Sequence, residues 1–420
     1  MAPTMKRLPI FSLFAANAIS LTGNVMAAIA IPWFVLQTTG SAAQTGLTGF
    51  FTILPVVIAG FLGGTLIDRL GYRRTSIIAD IASGATVALI PLLHLTIGLE
   101  FWPLMVLVFL GGLLDAPGGT ARMALLPELA KQCDMPLERA TSLGHVVERG
   151  SRLLGAPLAG LLIASMGTVD LLWLDAASFG VSALLVAGAV KGDSTRPPEE
   201  TRSGYFEEVL QGLTFIRRHP LVLSMITIVM ITNFLDAAFG GVLLPVYMNT
   251  VFGSAVNLGM FLGVMAGGSV VGGLIFSAVG HRLPRFATFV AMFVLTSLYA
   301  WAFAFFLPFP LILVAAALAG LGAGPLNPII GTVIFERVPG GMRGRVLGTL
   351  QAGAWLTMPL GVLLAGWLTE WLGLRPLLVA AAAIYMLATL SMLIIPALRE
   401  LDKRLTPQEA RGESEGEVAA

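Results

Sequence analysis

Charge is scarce in this chain. Asp, Glu, Lys and Arg make up 12% of its 420 residues, against 56% hydrophobic ones. A soluble domain carries about 25% charged residues, so a water-soluble globule is excluded. The mean hydropathy of +0.86 points instead to a polytopic membrane protein. What charge there is nearly cancels: 25 basic and 24 acidic side chains leave +1, which offers no electrostatic footprint for a nucleic acid. The single cysteine, Cys133, excludes an internal disulfide and reads as a tolerated loop residue. Only four histidines are present, His94, His145, His219 and His281, none with a partner at ligand spacing, so neither a metal nor another cofactor is expected. The phosphate loop G-x-x-x-x-G-K-[ST] is missing, which excludes ATP as the direct energy source. G-x-S-x-G and H-E-x-x-H are missing too, and the chain does not read as an enzyme.

Long apolar runs take the place of these absent features. A membrane span needs about 20 mostly apolar residues. Twelve stretches qualify: 10–36, 44–67, 75–98, 102–126, 141–165, 170–190, 221–248, 256–279, 286–307, 309–334, 345–369 and 374–398. The expected fold class is therefore an all-α membrane protein with twelve transmembrane helices. Glycine (48) and proline (24) fall inside these runs, as membrane helices permit. Mid-span pairs such as Gly111-Gly112 and Gly272-Gly273 read as packing devices.

Basic residues set the orientation. With the N-terminus in the cytoplasm, the inner segments hold Lys6, Arg7, Arg69, Arg73, Arg74, Lys131, Arg139, Arg217, Arg218, Arg282, Arg285, Arg337, Arg343, Arg345 and the tail arginines, while the outer loops hold only Arg375. Both termini are expected inside. The longest loop, 191–220, opens on a polar linker, "KGDSTRPPEETRSG". It then turns apolar at helical spacing through Phe206, Val209, Leu210, Leu213 and Ile216, the pattern of an amphipathic helix on the inner membrane surface. The expected organisation is a six-helix lobe over 1–190, this linker over 191–220, a second lobe over 221–399 and a disordered cytoplasmic tail over 400–420.

The two halves repeat weakly. "FLGGTLIDRLGYRR" matches "VVGGLIFSAVGHRL", pairing Gly71 with Gly280; "GAPLAGLL" matches "TMPLGVLL"; Glu128 matches Glu336. The offset is roughly half the chain each time, the mark of a parallel duplication about an axis along the membrane normal.

The run Gly64-Thr65-Leu66-Ile67-Asp68-Arg69-Leu70-Gly71-Tyr72-Arg73-Arg74 resembles the signature loop G-x-L-x-D-R-x-G-R-R between the second and third spans of the major facilitator superfamily. The resemblance extends over nearly the whole chain. "LLPELAKQCDMPLERATSLG", "LWLDAASFGVSALLV" and "GLTFIRRHP" look like the bacterial subfamily of enterobactin exporters and macrolide efflux proteins. It implies export of a bulky amphipathic compound driven by proton entry, in the cytoplasmic membrane of a bacterium. A monomer in the lipid bilayer is the expected state. One departure stands out. Drug–proton antiporters often carry G-P-x-x-G-G in the fifth span, where this chain has Gly155-Ala156-Pro157-Leu158-Ala159-Gly160, a segment that close helix packing and a hinge explain equally well.

Ionisable groups deep in a span are functional candidates by default. Asp115 in the fourth span and Asp236 in the seventh are deepest, with Asn233 one turn before Asp236, Phe234 and Phe239 flanking it, and Asn24 mid-way along the first span. A buried carboxyl there can carry a proton or hold a cationic substrate. Glu148 and Arg152 form an i,i+4 pair in the fifth span, with Arg149 beside them, and read as a structural cluster. Asp175 reads as peripheral, barely a turn inside the outer face. Asp80 reads as the partner of the signature-loop arginines.

Asp68 sits at the negative end of its own helix, where an acid is disfavoured. The resemblance places it beside the positive N-terminus of the eleventh span, with Arg122 as a second partner. Gly64, Asp68, Arg69, Gly71, Arg73 and Arg74 would then form a conformational latch. The leading expectation is a proton-coupled exporter of amphipathic drugs or siderophore-like metabolites. A nutrient symporter and a non-transporting sensor on the same fold stay open.

Overall fold

The computed structural model describes residues 7–190, 205–338 and 342–403, with the backbone alone for 60–69 and 205–209. Every regular element among them is helical. Six helices come first: α1 Leu8–Thr39, α2 Ala42–Leu70, α3 Tyr72–Thr96, α4 Phe101–Gln132, α5 Leu137–Met166 and α6 Thr168–Ala189. The amphipathic α7 spans Tyr205–Arg218, where the spacing of its apolar residues places it. Six more follow: α8 Pro220–Ala238, α9 Ala255–Val279, α10 Arg285–Ala304, α11 Phe309–Arg337, α12 Arg343–Leu372 and α13 Leu374–Ser391.

Among the described residues eleven helices are long and apolar enough to cross a membrane. The twelfth, α5, is long enough at 30 residues. Glu138, Arg139, Glu148, Arg149 and Arg152 keep its first half polar. The helices also outrun the apolar windows read from the sequence. The apolar stretch ends where the hydrocarbon ends, but the backbone ladder continues through polar residues beyond it, as from Leu126 to Gln132 in α4.

One expected span has a more complex backbone. After Ala238 the chain makes a π-helical turn at Phe239–Leu243, one α turn at Leu244–Tyr247 and a second π turn at Met248–Phe252. Periodicity alone does not reveal such widenings, which insert a residue into an otherwise helical register. Gly240 and Gly241 lie in the first of them, and a Cβ on Gly241 would press into Val362 of α12.

The chain divides into two compact units, residues 1–200 with 244–263, and residues 201–243 with 264–420. In the first, α1 lies against α5 and α6, and α3 packs on α4 and α6. Its core joins Ile10, Leu13, Leu125, Leu129 and Val186. Cys133 belongs to that core and is not the loose loop residue expected from sequence: it ends α4 through its N–H to Leu129 and is 2% exposed. In the second unit, Leu221, Met225, Phe289, Phe293 and Tyr385 build the core. There α7 rests on α12, where Gly212 meets the backbone of Arg345 and Gln211 accepts a 2.6 Å hydrogen bond from the Arg345 guanidinium. Side chains such as Leu95, Leu184 and Leu387 point away from both cores, as a hydrocarbon solvent allows.

Both units use the same tight junction. Gly167 joins α5 to α6 with φ 90 and ψ 167, and Gly373 joins α12 to α13 with φ 85 and ψ 160. This region of backbone space is essentially closed to residues with a Cβ. Gly71 adopts the same conformation between α2 and α3, whereas Gly280, its counterpart in the repeat, opens a 3-10 turn. Replacing Gly373 or Gly167 by alanine should cost about 1–3 kcal/mol and lower the thermal unfolding midpoint in detergent. Gly180→Ala, in open helix, should leave the midpoint unchanged.

Candidate functional site

Three helices of the first unit turn a polar group into a common cavity of about 180 Å³. Asn24 comes from α1, Asp115 from α4 and Asp175 from α6, and Val56, Ile90, Val108 and Phe179 supply apolar wall. Asn24 donates through Nδ2 to Oδ2 of Asp115 at 2.8 Å. Oδ1 of Asp115 is buried and has no hydrogen-bond partner. Asp175 is 1% exposed; Ser178 donates to its Oδ1 at a long 3.4 Å, and Oδ2 is unpartnered. The Asp175 carboxylate lies over Gly23 of α1, where any Cβ would collide with it.

Asp175 is therefore no peripheral residue. It lies seven residues into α6, which starts at Thr168, about 10 Å along the axis at 1.5 Å per residue. A signal for it was present in the sequence: Asp175, Ser178 and Ser182 recur at i, i+3 and i+7, one polar stripe on an apolar helix.

Two turns beyond Asp115, Arg122 anchors a buried network. Its Nη1 donates to Oδ1 of Asp80 at 2.6 Å, with 2% and 0% of the two side chains exposed. Its remaining donors reach Asn17 at 3.3 Å and Ser20 at 3.4 Å on α1, and Ser182 of α6 donates to the other Asp80 oxygen at 2.7 Å. Asp80 thus pairs with Arg122, correcting the expectation that it serves the signature-loop arginines. Asp68, the other partner expected for this guanidinium, lies outside the described side chains. A buried ion pair is tolerable only when its spare hydrogen-bonding capacity is filled, and three polar side chains contribute to that.

Of the signature loop, Gly64, Asp68 and Arg69 lie outside the described side chains, and with them the expected latch. Gly71 is the junction described above. Arg73 donates to the Ala187 carbonyl at 2.8 Å, satisfying one of the free carbonyls at the end of α6. Arg74 is exposed.

In the second unit Asp236 of α8 is partly buried and accepts from the Tyr299 hydroxyl of α10 at 2.8 Å, with Tyr385 of α13 as a second hydrogen-bond partner. Neither tyrosine was singled out by the sequence. Phe239 packs edge-on against Tyr299 and Phe303, with centroids 4.7 and 4.9 Å away, and Phe234 packs against the core. Asn233, one turn before Asp236, is partly buried.

In α5 the Glu148–Arg152 pair forms at 3.4 Å, with His145 3.9 Å from the same carboxylate, and Arg149 is exposed. The helix runs unbroken through Pro157. A Cβ on Gly155 would meet Val25 at 2.8 Å, and one on Gly160 the Ala255 carbonyl at 2.6 Å. This stretch is built for close approach of helices.

A membrane-embedded helical chain with buried acids and a glycine-rich charged turn can be set beside known proteins. The sequence profile of the Major Facilitator Superfamily matches residues 13–309 and 226–418. The chain belongs to that superfamily. It is 34% identical over 406 residues to the multidrug efflux pump Tap of Mycobacterium tuberculosis, covering 96% of each chain. It is 20% identical over 400 residues to macrolide efflux protein A of Streptococcus pyogenes, covering 94% of this chain and 98% of that one. A crystal structure of a variant of the nucleoside transporter NupG superposes with a TM-score of 0.78 over 92% of this chain and 99% of that one, at 12% identity, a likeness of fold alone. This is a multi-pass membrane transporter of small molecules, and the twelve long helices among the described residues are those of the superfamily's fold.

Removing one partner of the buried pair strands a charge. Arg122→Met should destabilise the protein by about 3–5 kcal/mol, seen as a lower unfolding midpoint and yield. Asp80→Leu added to it should restore most of the loss; a double variant no better than the single one would contradict the pairing.

Proposed function

We propose that the chain is a secondary active exporter that moves amphipathic drugs or siderophore-like metabolites out of the cell in exchange for protons, by alternating access. The observation that carries this is a carboxyl group, Asp115, set deep in α4 and half-satisfied by Asn24. An ionisable group at that depth is costly to keep without a task. Exchange of a proton at a carboxyl is the simplest task open to it, since no nucleotide-binding motif is available to drive transport. The names of the efflux relatives support the outward direction and the drug-like cargo. Asp236 is the corresponding candidate in the second unit, and its tyrosine hydroxyls fit a carboxyl that is held in place while it gains and loses a proton.

The same reading assigns residues 1–190 and 221–399 to two lobes joined by 191–220. It makes the protein a monomer in the bacterial cytoplasmic membrane, in contact with lipid, with both termini in the cytoplasm. The excess of basic residues in the segments taken as cytoplasmic supports this orientation.

In proteoliposomes with an imposed pH gradient, the wild type should expel a dye substrate only while the gradient lasts. Asp115→Asn and Asp236→Asn should each abolish that dependence. Wild-type rates in both variants would remove the proposed roles, and transport indifferent to the gradient would remove proton coupling altogether.

A further inference from the structure

Four arginines of the second unit are committed to neighbours. Arg285 holds Glu336, Arg337 the carbonyls of Glu400 and Lys403, Arg343 those of Phe335 and Val338, and Arg345 the amide of Gln211. Arg217 and Arg218, at the end of α7, are exposed and have no such partner among the described residues. We infer that α7 is a docking surface for anionic phospholipid headgroups, with these two guanidiniums on the phosphates and Leu210 and Leu213 at the edge of the acyl chains.

Depth is the first support. One residue, His219, separates Arg218 from Pro220, where α8 begins. The stretch Pro220–Phe252 is long and apolar enough to cross a membrane, and Leu223 in its first turn already points outward, 40% exposed. Hydrocarbon therefore starts within about a turn of the two arginines. That puts them at headgroup level whichever way the chain is inserted.

The shape of α7 is the second. Leu210, Leu213 and Arg217 recur at i, i+3 and i+7, which makes one stripe, and all three are exposed, the leucines by 63% and 38%. Gly212 and Ile216 are buried on the opposite side. A Cβ on Gly212 would collide with Thr349 and Arg345 of α12, and Ile216 joins Val222 and Val346 in a core cluster. Protein holds one face of the helix and leaves the other apolar, ending in charge. That is the make-up of a helix lying in the membrane interface. A soluble acidic partner has no need of the leucines, and a neutral lipid surface has none of the arginines.

The third is the distribution of charge. The acids of α7, Glu207 and Glu208, stand in its first turn, and the arginines in its last. The planar guanidinium fork matches phosphate oxygens. Each basic residue beside a span strengthens attachment to an anionic leaflet about fivefold, so the pair favours it about thirtyfold. This inference goes beyond the export reading and does not rest on it, since α7 would dock on headgroups in a protein that transports nothing.

The test uses the full-length protein carrying Cys133→Ala and a spin label on Leu213→Cys. It is placed in nanodiscs of phosphatidylcholine alone or mixed with phosphatidylglycerol. Collisions with a neutral nickel chelate and with oxygen report whether the label sits in water or in lipid. Phosphatidylglycerol should lower the nickel accessibility severalfold and raise that of oxygen, and concentrated salt should weaken the response. Arg217→Gln combined with Arg218→Gln should lose it. Arg217→Lys with Arg218→Lys should keep it, as should Arg139→Gln, at an exposed arginine of the first unit. A label on Leu210→Cys should repeat the result, which guards against damage by either cysteine.

Equal accessibility in the two lipids would overturn the inference. A label in water in both would leave this face to a soluble partner, and a label in lipid in both would make the docking purely apolar. A phosphatidylglycerol response that survives the double glutamine variant would overturn it as well.

Discussion

A bilayer core offers no water to a stray polar group, and nearly every feature of this protein follows from that constraint. Backbone groups in hydrocarbon must pair within their own segment, and the described chain meets that demand with helices throughout. Side chains face the same demand with fewer options. Threonines and serines along the spans turn back onto the carbonyl one turn earlier, as Thr22, Thr48, Thr86 and Thr296 do. The Asp80–Arg122 pair draws polar side chains from α1 and α6 toward it, so one ion pair fixes four helices together.

The carboxylates of the two units are satisfied to very different degrees. Asp80 is fully committed to Arg122 and Ser182. Asp236 is steadied by two tyrosine hydroxyls in an aromatic setting. Asp115 has one oxygen engaged and one bare, and Asp175 has little beyond a long contact from Ser178. Such a gradient separates groups that hold helices together from groups with capacity left for something that comes and goes. Charge content alone does not rank them, because the ranking depends on neighbours from other helices.

For the same reason the sequence revealed the helices better than the site. The span count and the amphipathic α7 were legible because apolarity and its period are local properties. The depths of Asp115 and Asp236 followed from counting along a span. Asp175 was misjudged because counting along a span gives depth but not neighbours: the expected start, at 170, fell only two residues after Thr168, and it is the backbone of α1 at Gly23 that covers the carboxylate. The Asp80–Arg122 pairing was hidden because the partners stand on different helices, while the signature-loop arginines lie nearer in sequence. Tyr299 and Tyr385 look like ordinary core aromatics until their hydroxyls are placed. The π turns after Ala238 have no periodic signature at all.

The polar first half of α5 has a consequence for where that helix can sit. Arginine near the centre of a helix costs about 2.5–3.5 kcal/mol on insertion into the membrane, and α5 carries Arg149 and Arg152 well within its 30 residues. Such a segment is less favourable in lipid than its neighbours, and it is the one long helix of the first unit that falls short in apolarity among the described residues. The close packing of α5 on α1, through Gly155 and Val25, gives one face of this weakly apolar helix a protein surface in place of lipid.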